Sequence, residues 1–336
     1  MKRLVTGAGG FLGRSLMERL LGLPDADIRV LVRSPAQAER LRAMASACPA
    51  ARLEIVTGNL LSREDVARAT AGVDVVYHLA ASLKGSPADI FMNTVVASNH
   101  LLDTLAATPR TIVMVSSMGV YGTAALPRDA MVDERTPLEP HPERRDVYSH
   151  AKWRQEKLFR DRAAAAGHRL VVIRPGVVYG PGGSPMSARV GLNLFGWFLH
   201  LGGGNRIPLT YVDNCADAIV AASEHPQALG QAFNVVDDDL PTARAYLRRY
   251  RREVVRLRSV RIPYSAMQLV SRGVESYHRR SRGQLPAVFT RYKTATLWKG
   301  TRFDNSKLKA LGWTPRVTTE EGLARSFAAL RAAAKG

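Results

Sequence analysis

The sequence predicts an α/β protein: a doubly wound parallel sheet followed by a smaller, mainly helical C-terminal cap. Three observations point to this class. Short β-branched runs alternate with helical patterns up to Pro175. A glycine-rich turn from Gly7 to Gly13 sits directly after the first of those runs. Beyond Pro175 the alternation gives way to arginine-rich helical patterns.

Strands are predicted at Lys2–Thr6, Ile28–Val32, Leu53–Val56, Val73–Leu79, Thr111–Val115 and Leu170–Ile173. Helices are predicted between them at Phe11–Leu21, Pro35–Ala45, Arg63–Ala69, Ile90–Ala107 and Tyr148–Ala166. Strand–helix–strand spacing of this kind builds parallel pairs with right-handed crossovers, and so a sheet covered on both faces. After Pro175, Gly-Pro-Gly-Gly at 180–183 and Gly-Gly-Gly at 202–204 bracket a segment expected to be helical. The run Leu209–Val212, a helix from Cys215 and a strand at Ala232–Val236 are expected to return to the first domain. Helical patterns follow over Ala243–Arg282, with short helices around Ser306–Leu311 and Glu320–Ala334. The expected division is residues 1–175, joined by 209–236, as a Rossmann-type domain, and 176–208 with 237–336 as a substrate-binding cap.

Bulk composition narrows the function classes. A 46% apolar share and a 23% charged share are ordinary for a globular chain. Cys48 and Cys215 lie far apart in no ligand spacing, so neither a disulfide framework nor a metal site is expected. No apolar leader precedes the first strand, and the apolar stretch Val190–Leu201 is short and interrupted by glycines; a cytoplasmic location is expected. The net charge of +19 favours acidic or phosphorylated partners, although an Ala- and Arg-rich composition also reflects GC-rich coding. The basic stretch Tyr246–Arg282 reads as a solvated face, a substrate-phosphate patch or a peripheral membrane contact. No nucleic-acid-binding motif accompanies it, so nucleic acid is not an expected partner.

The glycine turn carries the first chemical signal. Gly7, Gly10 and Gly13 give a tight turn, a close backbone approach to a pyrophosphate and a close helix–strand contact. Phe11 and Leu12 open the helix whose N-terminal N–H groups would face the phosphates. In NAD-binding domains an acid about 20 residues further on holds the ribose 2′-hydroxyl. Here Arg33 stands at the end of the second strand, with Ser34 as a further donor, which favours NADP(H) over NAD(H).

Tyr148 and Lys152 lie four residues apart and share a helical face. A nearby ammonium favours the phenolate and tunes a tyrosine for proton transfer. Combined with Ser116-Ser117-Met118-Gly119-Val120-Tyr121-Gly122, His78-Leu79-Ala80-Ala81, Arg174-Pro175-Gly176-Val177-Val178-Tyr179-Gly180, Tyr211-Val212-Asp213-Asn214 and the closing Leu311-Gly312-Trp313-Thr314-Pro315, the chain resembles the extended short-chain dehydrogenase/reductases of the NAD-dependent epimerase/dehydratase group. The resemblance implies Tyr148 as general acid/base, Lys152 on the nicotinamide ribose and Ser117 on the reacting oxygen. It further implies Leu79, Ala80, Ala81, Pro175, Gly176 and Val177 along the cofactor, Asn59 and Leu60 near adenine, and a possible homodimer.

Departures from the family pattern carry weight. Asn59 replaces an aspartate, and Thr94 replaces the asparagine that bridges to the lysine in the family. Met118-Gly119 after Ser117 cannot perform the acid/base work of a 4,6-dehydratase, so dehydration is disfavoured. His150 is expected to face solvent, His78 to pack beside the sheet, and Asp237-Asp238-Asp239 to form a turn or helix cap. Arg291, Lys293 and Arg302 are weak candidates for a substrate diphosphate. The leading expectation is hydride transfer at a carbinol or carbonyl carbon of a sugar nucleotide. The alternatives are a reductase of a lipophilic ketone or alcohol, similar to the 3β-hydroxysteroid dehydrogenase and dihydroflavonol reductase branch, and a non-catalytic NADP(H)-sensing regulator.

Overall fold

The computed structural model describes residues 1–105, 108–281 and 289–334. The expected helix end at Ala107 and the end of the basic stretch at Arg282 lie outside the described residues. In chain order the strands begin with β1 (Lys2–Thr6), β2 (Asp27–Val32), β3 (Arg52–Thr57), β4 (Val75–His78), β5 (Thr111–Val115) and β6 (Met131–Val132). They continue with β7 (Arg169–Pro175), β8 (Val177–Tyr179), β9 (Gly191–Leu194), β10 (Trp197–His200) and β11 (Leu209–Tyr211). The last are β12 (Ala232–Val235), β13 (Ser259–Arg261) and β14 (Arg302–Phe303). Seven of them form one parallel sheet in the order β12-β7-β5-β4-β1-β2-β3. The order reverses between β1 and β4, which places a crevice at the carboxyl ends of those strands.

Helices cover both faces. On one lie α1 (Phe11–Leu21), α2 (Pro35–Ser46) and, later in the chain, α7 (Val212–Glu224). On the other lie α3 (Arg63–Thr70), α5 (Ala97–Leu105) and α6 (Val147–Ala166). All five residues of β5 are buried, as a parallel strand sandwiched between helical layers requires. The helix expected over 90–107 begins earlier, at α4 (Pro87–Phe91). There Ser86 and Asp89 form a reciprocal capping box. It then passes through a π-helical turn at Met92–Val96 before α5.

The C-terminal part holds α8 (Ala243–Glu253), α9 (Tyr264–Arg280), α10 (Arg291–Trp298), α11 (Ser306–Lys309) and α12 (Thr319–Ala333). The segment between the two glycine clusters corrects its sequence-based expectation: it is a β-hairpin, β9 paired antiparallel with β10. Phe195 and Gly196 at its two-residue turn have φ of 48° and 77°. Two successive positive φ values are the geometry of a tight hairpin turn, and they are incompatible with a helix. A Cβ on Gly191 would come within 2.0 Å of the Leu199 carbonyl oxygen, so glycine at this position lets the strands close. The stretch expected to be helical over Ala243–Arg282 is likewise divided: β13 pairs parallel with β10 between α8 and α9.

A buried ion pair ties α6 to the sheet. Arg174 on β7 donates to both carboxylate oxygens of Glu156 at 2.5 and 3.1 Å, and Ser116 donates to Glu156 at 2.6 Å. Arg174 also donates to the Tyr121 hydroxyl, which donates to the Asn234 side-chain oxygen on β12, each at 2.7 Å. Burial pushes the Glu156 carboxyl up, but the hydrogen bonds and charge of Arg174 outweigh this and hold it below the ordinary range.

Two outcomes follow for stability. Glu156→Gln leaves a buried guanidinium without its charge partner and should lower the unfolding free energy by about 3–5 kcal/mol, read from urea denaturation. The carboxylate's contribution is complete above its ordinary value of 4.5 and is lost as the pH falls through the lower folded value. Acid titration followed by circular dichroism should therefore show wild type losing stability below that point, with a shallower acid limb in Glu156→Gln.

Candidate active and cofactor site

The glycine turn closes as its spacing requires. Gly7 has φ of 81°, and a Cβ there would lie 2.9 Å from the Ala80 nitrogen. A Cβ on Gly13 would sit 2.1 Å from the Gly7 carbonyl oxygen, so α1 can lie against β1 only with glycine at that position. Gly10 donates to the Gly7 carbonyl at 3.0 Å and is the N-cap of α1. No side chain caps that end and no acid lies in its first turn; N–H donors near Phe11 and Leu12 therefore face the turn unopposed. Leu79, Ala80 and Ala81 follow β4 beside Gly7. This backbone cradle fits a dinucleotide pyrophosphate.

At the end of β2 the Arg33 side chain is exposed, and its backbone N–H donates to the Gln37 side-chain oxygen at 3.2 Å. The Ser34 hydroxyl accepts from the Gln37 backbone N–H as the N-cap of α2, so its oxygen serves the helix. The Gln37 carboxamide lies over Gly9, at the edge of the turn. After β3, the Asn59 side-chain oxygen accepts from Leu61 N–H at 3.1 Å. Its amide NH₂ is the end available to donate. Leu60 is partly buried against the lower helical layer.

Tyr148, Lys152, Gln155 and Glu156 descend one face of α6 toward the sheet. Asp146 caps the helix, accepting from Ser149 N–H at 2.9 Å, which fixes the first turn that carries Tyr148. Tyr148 is hydrogen-bonded with Ser117, and burial pushes its phenol up to about 12 against that bond's opposing pull. The structure separates the two adjacent serines: Ser116 turns inward to Glu156, whereas Ser117 faces Tyr148 and accepts from Gly119 N–H at 3.0 Å. On the neighbouring strand end, Gly176 donates to Val235 O and Thr210 Oγ1, both at 3.1 Å or less, and Val177 donates to Pro208 O at 2.6 Å. A Cβ on Gly176 would approach Pro208 O to 2.1 Å, which rules out a side chain where Pro175-Gly176-Val177 turns out of β7.

Lys152 is 2% exposed and donates to Val115 O and to the Gln155 side-chain oxygen, each at 2.5 Å. Burial pulls its ammonium down to about 7, with Glu156 pulling the other way. The Gln155 amide in turn donates to Ser98 Oγ at 2.8 Å and to the carbonyls of Ala80 and Thr94 at 3.2 and 3.3 Å. It also contacts His78 Nε2 at 3.1 Å. The Thr94 hydroxyl accepts from Ser82 N–H at 3.0 Å. Gln155 therefore makes the link between the lysine and the 94–98 turn that the asparagine-to-threonine change had put in question. His78 is held in the sheet by Thr6 and Ser98, and burial, followed by the Lys152 charge, pulls it down to about 3, keeping it neutral.

Several side chains correct or extend the sequence reading. Asp237 is not a surface turn or cap. It is buried and accepts from Tyr179, Tyr211 N–H and Asn214, while Asp238 pairs with Lys309. His150 is half-buried, its ring 5.0 Å from that of Phe91. Arg291 is paired with Glu275 at 3.1 Å, Lys293 is half-buried on α10, and Arg302 lies exposed on β14. Arg189, unremarked in the sequence, lies half-buried near Arg145 and Asp146 at the start of α6. Gln155 could have been found from its spacing, three residues beyond Lys152 and seven beyond Tyr148. Arg189 lies in the expected helix that proved to be a loop and hairpin, and carried no such signal. Among the described residues no group of three or more acidic, histidine or cysteine side chains is placed to hold a metal.

Residues 3–235 match the model of the NAD dependent epimerase/dehydratase family. The chain is 26% identical to 3beta-hydroxysteroid-dehydrogenase/decarboxylase isoform 1 of Arabidopsis thaliana, over 98% of this chain and 80% of that protein. It is 28% identical to a 2-alkyl-3-oxoalkanoate reductase of Shewanella oneidensis, over 97% of this chain and 85% of the relative. Its fold is similar to that of UDP-glucuronic acid 4-epimerase from Bacillus cereus, solved with UDP-glucuronic acid and NAD. The TM-score is 0.71 at 20% identity, covering 99% of this chain and 100% of that one. With a dinucleotide cradle, a Tyr–Lys helix and a family match across most of its length, the chain belongs to the NAD-dependent epimerase/dehydratase family, as an enzyme of the extended short-chain dehydrogenase/reductase type.

Proposed function

We propose that the protein is an NADP(H)-dependent reductase that moves hydride between nicotinamide and the carbonyl or carbinol carbon of a lipophilic substrate. The observation that carries the chemistry is the Ser117–Tyr148 pair placed over a buried Lys152. A bound nicotinamide supplies or accepts the hydride. Tyr148, a phenol and so protonated at neutral pH, donates a proton to the substrate oxygen in the direction of reduction. Ser117 hydrogen-bonds the same oxygen and orients it. Lys152 lies within the buried base of the site, where its ammonium can hold ribose hydroxyls and favour the phenolate in the reverse direction.

In this reading residues 1–175 with 209–236 carry the cofactor, and 176–208 with 237–336 frame the substrate. Arg33, exposed just beyond β2 with no acid beside it, would receive a 2′-phosphate. The preference for a lipophilic substrate rests on the long-range relatives, named for 3-hydroxysteroid and 3-oxoalkanoate chemistry, and on the diversion of Arg291 to Glu275. One observation favours a sugar nucleotide instead: Arg189, a half-buried cation beside the start of α6, could meet a diphosphate.

Tyr148→Phe should lower kcat by about 10²–10⁴-fold while leaving the Kd for NADPH unchanged, measured by nicotinamide fluorescence. Unaltered turnover in that variant would remove Tyr148 from the chemistry and favour a non-catalytic sensor. Arg33→Ala should raise the Kd for NADPH by about 10–100-fold and leave that for NADH unchanged. Protein purified without added cofactor, then denatured and chromatographed, should release no stoichiometric nicotinamide; stoichiometric NAD⁺ would instead indicate a retained, recycled cofactor and an epimerase.

A further inference from the structure

We propose that the β9–β10 hairpin and the arginine-lined cleft beside it form a docking surface for an anionic lipid bilayer. This goes beyond the hydride-transfer reading and does not depend on it. The cleft encloses about 590 Å³ between α8 and the adjoining face of β10 and β13. Arg244, Arg248, Arg251, Arg252, Arg256 and Arg261 line it, with His200. The first four lie at helical spacing on the exposed face of α8, opposite the buried Ala243, Tyr246 and Tyr250, with Leu247 between the two sets at the floor of the cleft. Of the six arginines only Arg252 pairs with a carboxylate, that of Glu253, among the described residues. So dense a positive surface with so little internal neutralisation calls for an external polyanion.

The apolar neighbours identify which polyanion. Apart from Met1, Leu83, Met92 and Met131, every exposed large hydrophobic side chain among the described residues lies between Leu194 and Tyr277. Phe195, at the hairpin turn, is 94% exposed. Leu194 and Trp197 are cross-strand partners behind it, and Val260 pairs with Leu199 on the next strand, so these side chains share one face, while His200 and Arg261, one position on, turn to the cleft on the other; the two sets meet at the hairpin end of the sheet. Phe198 donates its N–H to Arg258 O at 2.8 Å, and β10 pairs with β13 from Phe198 onward. The cationic 256–258 segment therefore runs directly beside the apolar tip.

A nucleic-acid duplex would engage the arginines through its phosphates but would leave most of the apolar set of Leu194, Phe195 and Trp197 at the hairpin end in water. A bilayer interface uses both, with aromatic and apolar groups at headgroup depth and arginines on lipid phosphates. No helix among the described residues is long and apolar enough to cross a membrane, so the contact is peripheral.

The test is sedimentation of the purified full chain with sucrose-loaded vesicles of phosphatidylcholine alone or containing one-third phosphatidylglycerol. Binding to the anionic vesicles only, weakened by salt, is expected. Arg248→Glu with Arg256→Glu, and separately Phe195→Ser with Trp197→Ser, should each reduce the partition coefficient by about tenfold or more. All four positions are exposed, and unchanged circular dichroism and Tm should show that the variants fold. Failure to bind the anionic vesicles, or binding unaffected by both pairs of changes, overturns the proposal. Retention by a 20-mer DNA duplex in place of vesicles would assign the surface to nucleic acid. A dimer in the absence of lipid that either variant pair dissociates would assign it to a second copy of the chain.

Discussion

The Glu156–Arg174 ion pair is the constraint from which the rest of the site takes its geometry. A carboxylate and a guanidinium removed from water are costly unless their hydrogen bonds are complete. Here Ser116, Tyr121 and Arg160 complete them, and Asn234 receives the last proton. The consequence is positional. Glu156 is four residues beyond Lys152 and eight beyond Tyr148, so locking it against β7 sets both the rotation and the depth of α6. Ser116 belongs to the same network, so Ser117 is aimed by the backbone of an anchored neighbour. The tyrosine, lysine and serine are thus held by one polar knot lying beneath them.

A second polar cluster, around Gln155, works on a smaller scale. The carboxamide presents its oxygen to a cation and its NH₂ to carbonyls and hydroxyls, which no carboxylate could do at once. It joins Lys152 on α6 to Ala80 beyond β4 and to the π-helical turn at Met92–Val96. The buried lysine consequently has oxygen partners on two elements, and the neutral His78 imidazole adds no competing charge beside it.

Much of this architecture was legible in the residues. The alternation of Lys2–Thr6, Phe11–Leu21 and the elements after them is a strong periodic signal, because strands buried on both faces and helices buried on one follow different repeats. The glycines of the first turn and the four-residue spacing of Tyr148 and Lys152 were equally visible. What escaped was set by tertiary contact. The β9–β10 hairpin was hidden because Gly191 and Gly196 read as breaks in a helix, whereas they permit strand closure and a tight turn. Asp237 looked like part of an acidic turn, and only the convergence of Tyr179, Tyr211 and Asn214 shows why it is buried. Arg189 lies in irregular chain, where periodicity carries no information.

The polar knot also bears on the order in which the molecule can be assembled. Its members are drawn from the turn after β5, α6, β7 and β12, and the bond from Tyr121 to Asn234 spans 113 residues. The central strands β1, β4 and β5 can collapse with their helices while the chain is still short, because their partners are near in sequence. Helix α6 cannot be completed in that way. Its last hydrogen-bonded support arrives with the edge strand Ala232–Val235, more than 60 residues after the helix itself ends at Ala166. During synthesis, therefore, a chain released before residue 235 would hold a formed glycine turn next to a loosely seated Tyr148, and the proton transfer proposed for that residue would be acquired late in folding.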